Sequence, residues 1–564
     1  MDRHSIIGLA FGSLAILSYF MFFLPWMYPP EERSHRPAGR PTAPRHATAD
    51  GPRQASETPA EMPAEWAPKA LEILPATGVQ SVDNIVIENE YIKTVWTSKG
   101  GVLVNATLKK YKDYSGNALR LFLPSDSAPR TLAINEILGK YDLSNRVFQV
   151  KEVTPERISF QTSLENELRL TKTITLHKGK NYCVDVEILS ENISNKEIPL
   201  RYSIVSASQI WPEGTPSLDT ASVVGVSVGT KTKLILKTLG DLEGSPERNE
   251  SHGIIWAGGA DKYFASVLKS STPDLIYGVN SRETTGGRTK SKKNIEVSVE
   301  TNNFALLPGG SEKHQFLLFL GPKKEEVLKE YGLVQLLNFG MFTPVSKGLL
   351  RVLNAFYSVI PNYGFAIIIM TICVKALLFP LTRKSQMSMF KMQKLQPQLK
   401  QIQEKYKNDK QKQGQEQMAL FKRHGVNPMS GCLPIVLQLP IFYALFRTLQ
   451  LSFEMRQAPF ALWIHDLARP DMLYTLADPL PFLGNNINAL PIIMAVASIV
   501  QMKMMPTNPD PKMQQQQQLM KFMPIMFAFI LYHMPSGLLL YWTTSTILSI
   551  GEQVLIRRMV ARLK

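Results

Sequence analysis

Ile367-Ile-Ile-Met-Thr-Ile-Cys-Val-Lys-Ala-Leu-Leu-Phe-Pro-Leu381 holds one charged residue, Lys375, in an apolar setting. Extended back to Tyr363, the run has about 19 residues, enough for a helix to cross a hydrocarbon core of ~30 Å. Comparable runs occupy Ile6–Trp26, Met429–Leu451, Ile487–Met502, Leu519–Met534 and Leu538–Ile556. Six runs predict an α-helical membrane protein with six spans. The last two read almost continuously, and about 38 residues would make a helix of roughly 57 Å, far beyond a bilayer. Pro535-Ser536-Gly537 therefore marks a tight turn between two helices. The fourth and fifth runs have only about 16 residues each, roughly 24 Å, which predicts a locally thinned bilayer.

The rest of the 564 residues divides by composition. Ile6–Trp26 follows Asp2, Arg3 and His4, and the bulky Leu24-Pro-Trp-Met-Tyr-Pro29 after it lacks the small residues that signal peptidase needs, so 1–27 reads as an uncleaved anchor rather than a signal peptide. Residues 28–80 repeat Pro among Ala, Arg, Glu and Thr, the composition of a disordered tether. In 81–322 apolar and polar residues alternate with a period of two, as in Asn84–Trp96, Leu168–Leu176 and Tyr182–Leu189. Ser-Lys-Gly-Gly and Lys-Gly-Lys-Asn turns break the pattern. Such alternation argues for half-buried antiparallel strands and a large all-β sandwich. Residues 323–358 place Val327, Leu328, Tyr331, Leu336, Leu349 and Leu353 at helical spacing, which suits amphipathic helices at a membrane surface. Three cysteines, Cys183, Cys373 and Cys432, supply no disulfide framework and no CxxC metal site.

The formal charge of +16 lies beside the apolar runs, which reads as topology control rather than nucleic-acid binding. The stretch 382–427 is strongly basic, and the tail 559–564 with the preceding Arg557 and Arg558 adds further positive charge. The positive-inside rule puts both in the cytoplasm, with both termini, and puts the β-domain in the periplasm of a Gram-negative bacterium. Within 382–427, Met389, Met392, Leu395, Leu399, Ile402 and Tyr406 form an apolar seam on a basic helix, and a helical hairpin turns near Asn408-Asp409. That hairpin reads either as a solvated topology determinant or as a docking arm.

Lys375 is costly at mid-span, by about 2.5–3.5 kcal/mol, and so is a functional candidate unless its stem snorkels to the surface. Gln438 with Pro434 and Pro440 in the third run, and Thr543, Thr544, Ser545 and Thr546 in the sixth, lie at similar depth. Converging, they would enclose a polar cavity; otherwise the hydroxyls serve helix packing.

Asn427-Pro-Met-Ser-Gly-Cys-Leu-Pro434, Gln438-Leu-Pro-Ile-Phe442, Arg456-Gln-Ala-Pro-Phe-Ala-Leu-Trp-Ile-His-Asp-Leu467 and Pro535-Ser-Gly-Leu-Leu-Leu-Tyr-Trp542 stand in the order of the signature stretches of the YidC membrane-protein insertases. The chain resembles that family over about Phe356–Arg558, and its domain plan resembles the Gram-negative members. The resemblance implies a five-helix insertase core over 359–558, a hydrophilic groove open to cytoplasm and lipid, and a periplasmic β-supersandwich. It implies a substrate groove lined by Lys375, Thr371, Gln438, Pro434, Pro440, Tyr541, Trp542 and Thr544. Many members carry Arg where Lys375 stands, and Tyr is common at the position of Trp542. Implied partners are nascent membrane proteins, the lipid bilayer, the Sec translocon, and a ribosome or signal recognition particle receptor at the hairpin. No cofactor, metal or enzymatic chemistry is implied.

Three other readings meet the same residues. A channel or secondary transporter would use Lys375 to bind a small anion, although no inverted-repeat pair of interrupted helices is visible. An intramembrane hydrolase would use His533 and Ser536, for which no orienting carboxylate stands near in sequence. A sugar mutarotase in the β-domain would need a His and carboxylate pair that spacing does not reveal.

Overall fold

The computed structural model describes residues 72–73, 80–122, 131–176, 179, 181–208, 210, 225–230, 234–238, 242, 247–285, 293–426, 433–480, 483–504 and 522–562. The expected anchor, nearly all of the tether, residues 427–432 and residues 505–521, with the start of the Leu519–Met534 run, lie outside them. The described chain forms a β unit up to Gly321 and a helical unit from Pro322 onward.

The β unit is built on a fifteen-stranded sheet. Arg157–Leu164, Leu168–Thr175 and Cys183–Asn192 run as an antiparallel meander, with Leu168 opposite Leu164 and Asn192. Ser311–Pro322 joins its far side, pairing Phe319 with Cys183. Along Cys183–Asn192 the residues Val184, Val186, Ile188 and Ser190 are buried while Asp185, Glu187 and Glu191 are half-buried, the period-two pattern of a one-sided strand. Tyr202–Ser208 is buried throughout, and its small Ser203, Ser206 and Ala207 suit a strand covered on both faces. A second, four-stranded sheet comprises Ile85–Glu88, Ile92–Thr97, Val102–Lys112 and Ala118–Arg120.

Lys172 ties the two sheets together. Its fully buried Nζ donates to the carbonyls of Gly100, Gly101 and Leu132 at 3.1, 3.0 and 2.8 Å. Burial pulls its pKa down to about 7. Gly100 sits at φ +77°, where a Cβ would lie 2.5 Å from the Ser144 carbonyl oxygen, so the Ser-Lys-Gly-Gly turn requires glycine there.

In the helical unit α1 spans Glu325–Glu330, α2 Thr343–Val359, α3 Tyr363–Lys394, α4 Gln396–Lys405, α5 Lys410–Arg423, α6 Leu433–Leu451, α7 Ala489–Lys503, α8 residues 522–530 and α9 Ser536–Arg562. α3 does not stop at Leu381. Nothing from Thr382 to Lys394 breaks a helix, so its 32 residues run about 48 Å and carry straight into the basic region. There α4 and α5 fold back as a hairpin around buried Leu395, Leu420 and Val426, packed by Met392, Leu399, Ile402 and Phe421. The Asp409 side chain caps α5 by accepting from the Lys412 N–H at 3.0 Å. Among the described residues one helix, α3, is long and apolar enough to cross a membrane, and the apolar α7 is shorter at 15 residues.

Residues 456–472 hold the starts of three helices. Asn362 caps α3 through the N–H groups of Gly364 and Phe365, and its Nδ2 donates to the Phe460 carbonyl at 2.9 Å. Asp471 Oδ2 accepts from the N–H groups of Ala489 and Leu490 at 2.8 and 3.0 Å, capping α7, and from Trp463 Nε1 at 2.8 Å. At α9, Ser536 Oγ donates to the Asp466 carbonyl at 2.8 Å, and the Gly537 N–H to that of Leu467.

Two stability predictions follow from these contacts. His314 is 5% exposed with Nδ1 2.8 Å from the Tyr202 hydroxyl, and burial pulls its pKa from 6.5 to about 4. The unfolded chain therefore binds the extra proton between those values, so stability present above pH 6.5 is lost as pH falls toward 4, by about 3 kcal/mol. Urea unfolding of the full chain, followed by tryptophan fluorescence, should show this loss, and His314→Gln should flatten it; an unchanged profile would refute the assignment. At Gly364 a Cβ would lie 2.0 Å from Phe460 Cδ2. Gly364→Ala should lower stability in detergent by about 1–3 kcal/mol through overpacking. Adding Phe460→Ala should recover part of that loss, and no recovery would show that the ring is not the obstacle.

Candidate functional site

α9 carries a polar stripe on one face. Tyr541, Ser545, Ser549 and Glu552 follow one another at spacings of four, four and three, so they stack on one side of the helix over about 16 Å. Each end of the stripe meets a different neighbour. Near the start of α9, the buried Tyr541 hydroxyl is engaged by the side chains of Gln438 from α6 and Ser545. Two turns on, Lys375 from α3 donates its Nζ to Ser549 Oγ at 2.7 Å. Glu552, one turn past Ser549, attracts the same ammonium electrostatically.

The residues singled out in the sequence do not all enter this stripe. Lys375, Gln438 and Tyr541 do. Lys375 reaches across to Ser549 on α9. Thr371, one turn earlier on α3, is buried and returns its hydroxyl to the Ile367 carbonyl at 2.6 Å, so its hydrogen bond stays within its own helix. Trp542 is half-buried in an aromatic group, its ring 5.0 Å from Phe442 and 5.7 Å from Phe527. Thr544 is half-buried and Pro440 is exposed inside α6. Pro434 falls within the first turn of α6, where a proline is tolerated. Thr543, buried, has no protein partner for its hydroxyl among the described residues.

Ser549 and Glu552 were missed by the sequence reading. An acid in an apolar run that ends in Arg557 and Arg558 looks like the polar end of a span. The usable signal was its spacing of three from a serine, on a helix opposite the lone lysine.

Around this site the helices expose large apolar side chains: Leu377 on α3, Leu439 on α6, Val496 on α7, Phe522 and Phe529 on α8, and Ile547 on α9 are each more than half exposed. So much apolar surface on five helices is what a lipid environment covers. Ser536 and His533 do not form a catalytic pair, since the serine hydroxyl is committed to the Asp466 carbonyl. In the β unit, burial closes His314 to a sugar.

Comparison with known proteins agrees with this architecture. The family model described as 60Kd inner membrane protein matches residues 355–562, and that described as YidC periplasmic domain matches 84–352. The Membrane protein insertase YidC of Syntrophus aciditrophicus is 31% identical over 99% of this chain and 100% of its own length. That of Pelobacter propionicus is 33% identical over 86% of this chain and 88% of its own. Among solved structures, a galactose mutarotase-like protein from Lactobacillus casei matches 42% of this chain and 99% of its own at 13% identity, with a TM-score of 0.32. With one relative matched over its whole length, a periplasmic-domain match over 84–352 and an inner-membrane match over 355–562, the chain belongs to the YidC family of membrane protein insertases.

Proposed function

We propose that the chain inserts membrane proteins into the bacterial inner membrane, and that the α9 stripe with Lys375 is the polar wall along which a substrate's tail moves. The observation that carries the reading is the ammonium held at mid-helix by Ser549, in a helix otherwise apolar enough to span. A short tail with a carboxylate enters this wet groove and meets Lys375, while the apolar segment behind it slides along α6 and α9 into lipid. Hydrophobic partitioning supplies most of the driving force, and the groove lowers the barrier for the polar part. With 15 residues, α7 runs about 22 Å, short for a ~30 Å core, which favours a thinned bilayer and a shorter path.

The finer organisation belongs to the same proposal. Six spans, five of them the insertase core, put both termini and the helical hairpin in the cytoplasm and the β unit, as a supersandwich, in the periplasm. The basic hairpin is the surface for a ribosome or signal recognition particle receptor, and the Sec translocon is the partner for larger substrates.

Reconstitution tests the reading. The purified chain in liposomes should make a single-span protein with a short acidic tail resistant to external protease. Lys375→Ala should lower that protection by about tenfold, and Lys375→Arg should retain most of it, because the charge rather than the fork geometry does the work. Protection independent of the protein would refute the proposal; protection unaffected by Lys375→Ala would remove the lysine from the mechanism.

A further inference from the structure

Glu552, the last residue of the α9 stripe, brings a carboxylate into electrostatic range of Lys375 in the resting molecule, and the insertion scheme above gives that negative charge no role. Lys375 Nζ is fixed at 2.7 Å from Ser549 Oγ, on the stripe of α9 that continues to Glu552 one turn later. Residues three apart on a helix have Cβ atoms about 5–6 Å apart, so an ammonium held on Ser549 lies within reach of the Glu552 carboxylate. The two groups are near enough to interact electrostatically without forming an ion pair within 4 Å, and both side chains are half-buried. A lone ammonium and a lone carboxylate at such depth are each unfavourable, and their proximity relieves part of both costs.

We infer that Glu552 is the internal counter-charge of Lys375 and sets how acidic an incoming segment must be to enter the groove. This rests on the insertase reading. With the groove empty, the Glu552 carboxylate offsets part of the ammonium's charge from the next turn of α9, so an arriving acid meets a weakened field. An arriving carboxylate then exchanges with a carboxylate of the same chemistry. Neutral tails gain nothing from the exchange, and weakly acidic tails lose the competition to a partner already on the adjacent helix. Ser549 is the positioning residue, since its hydroxyl holds the ammonium on the face that Glu552 shares.

The test uses the full chain in liposomes and two substrates that differ only in whether the short tail carries Asp or Asn, and it reads the ratio of their initial rates of protease protection. Glu552→Gln, which preserves shape, should raise the acidic-to-neutral ratio by about fivefold or more, and Glu552→Ala should move it the same way. A purely structural role would change both substrates alike and leave the ratio fixed. If the wild type inserts the acidic substrate but neither variant raises the ratio, the counter-charge is overturned and the insertase stands. If the wild type inserts neither substrate, the function and this inference fall together.

Discussion

The helical unit depends on the satisfaction of backbone groups where its helices begin. A helix leaves its first N–H groups without partners, and in lipid or at its surface each such group is costly. Residues 456–472 supply what is missing. Asp471 accepts two N–H groups of α7, and the carbonyls of Leu467 and Arg469 accept those at the start of α9. The Phe460 carbonyl fixes the Asn362 cap of α3. One short segment thereby sets the mutual position of three helices. This gives a physical reason for the density of Pro, Trp and Asp in the stretch after Arg456: the indole of Trp463 and the carboxylate of Asp471 are parts of one hydrogen-bonded clasp.

With those ends fixed, the other end of α3 is free to extend. Its continuation to Lys394, and the return through α4 and α5, needs no clasp because the hairpin has its own apolar core around Leu395, Leu420 and Val426. The polar stripe on α9 lies between these two regions. Its Tyr541 end meets α6 and its Ser549–Glu552 end meets α3, so one helix face coordinates the polar groups of two others.

Much of this was legible in the chain. The period of two in Tyr182–Leu189 marked the buried face of that strand at Val184, Val186 and Ile188, since alternation is local and the pleat enforces it. The Pro535-Ser536-Gly537 break was legible from length, and α9 begins at Ser536. The signature stretches from Asn427 to Trp542 carry the family resemblance in the sequence itself. What the sequence hid was set by distance. The order of fifteen strands depends on pairings such as Cys183 with Phe319, and the three carbonyls around Lys172 come from residues far from it in the chain. Hydropathy ended the second span at Leu381, because it measures transfer from water and not helix continuity; α3 goes on through charged residues that are good helix formers. The partner of the Thr371 hydroxyl was also not legible: a threonine in a helix can return its hydroxyl to the carbonyl one turn back, and it does.

A lysine, rather than an arginine, at the centre of this site has a chemical consequence. An arginine fork would hold a carboxylate by two parallel bonds, which favours a single long-lived partner. Lys375 presents a compact ammonium with three donors, one of them directed to Ser549 Oγ. The remaining two impose little geometry on an acceptor. An acid on α9 and an acid on a passing segment can therefore replace one another with small rearrangement. The same argument explains why a hydroxyl rather than a carboxylate sits nearest the nitrogen. Serine orients the ammonium without neutralising it, and leaves its charge for whichever carboxylate is present.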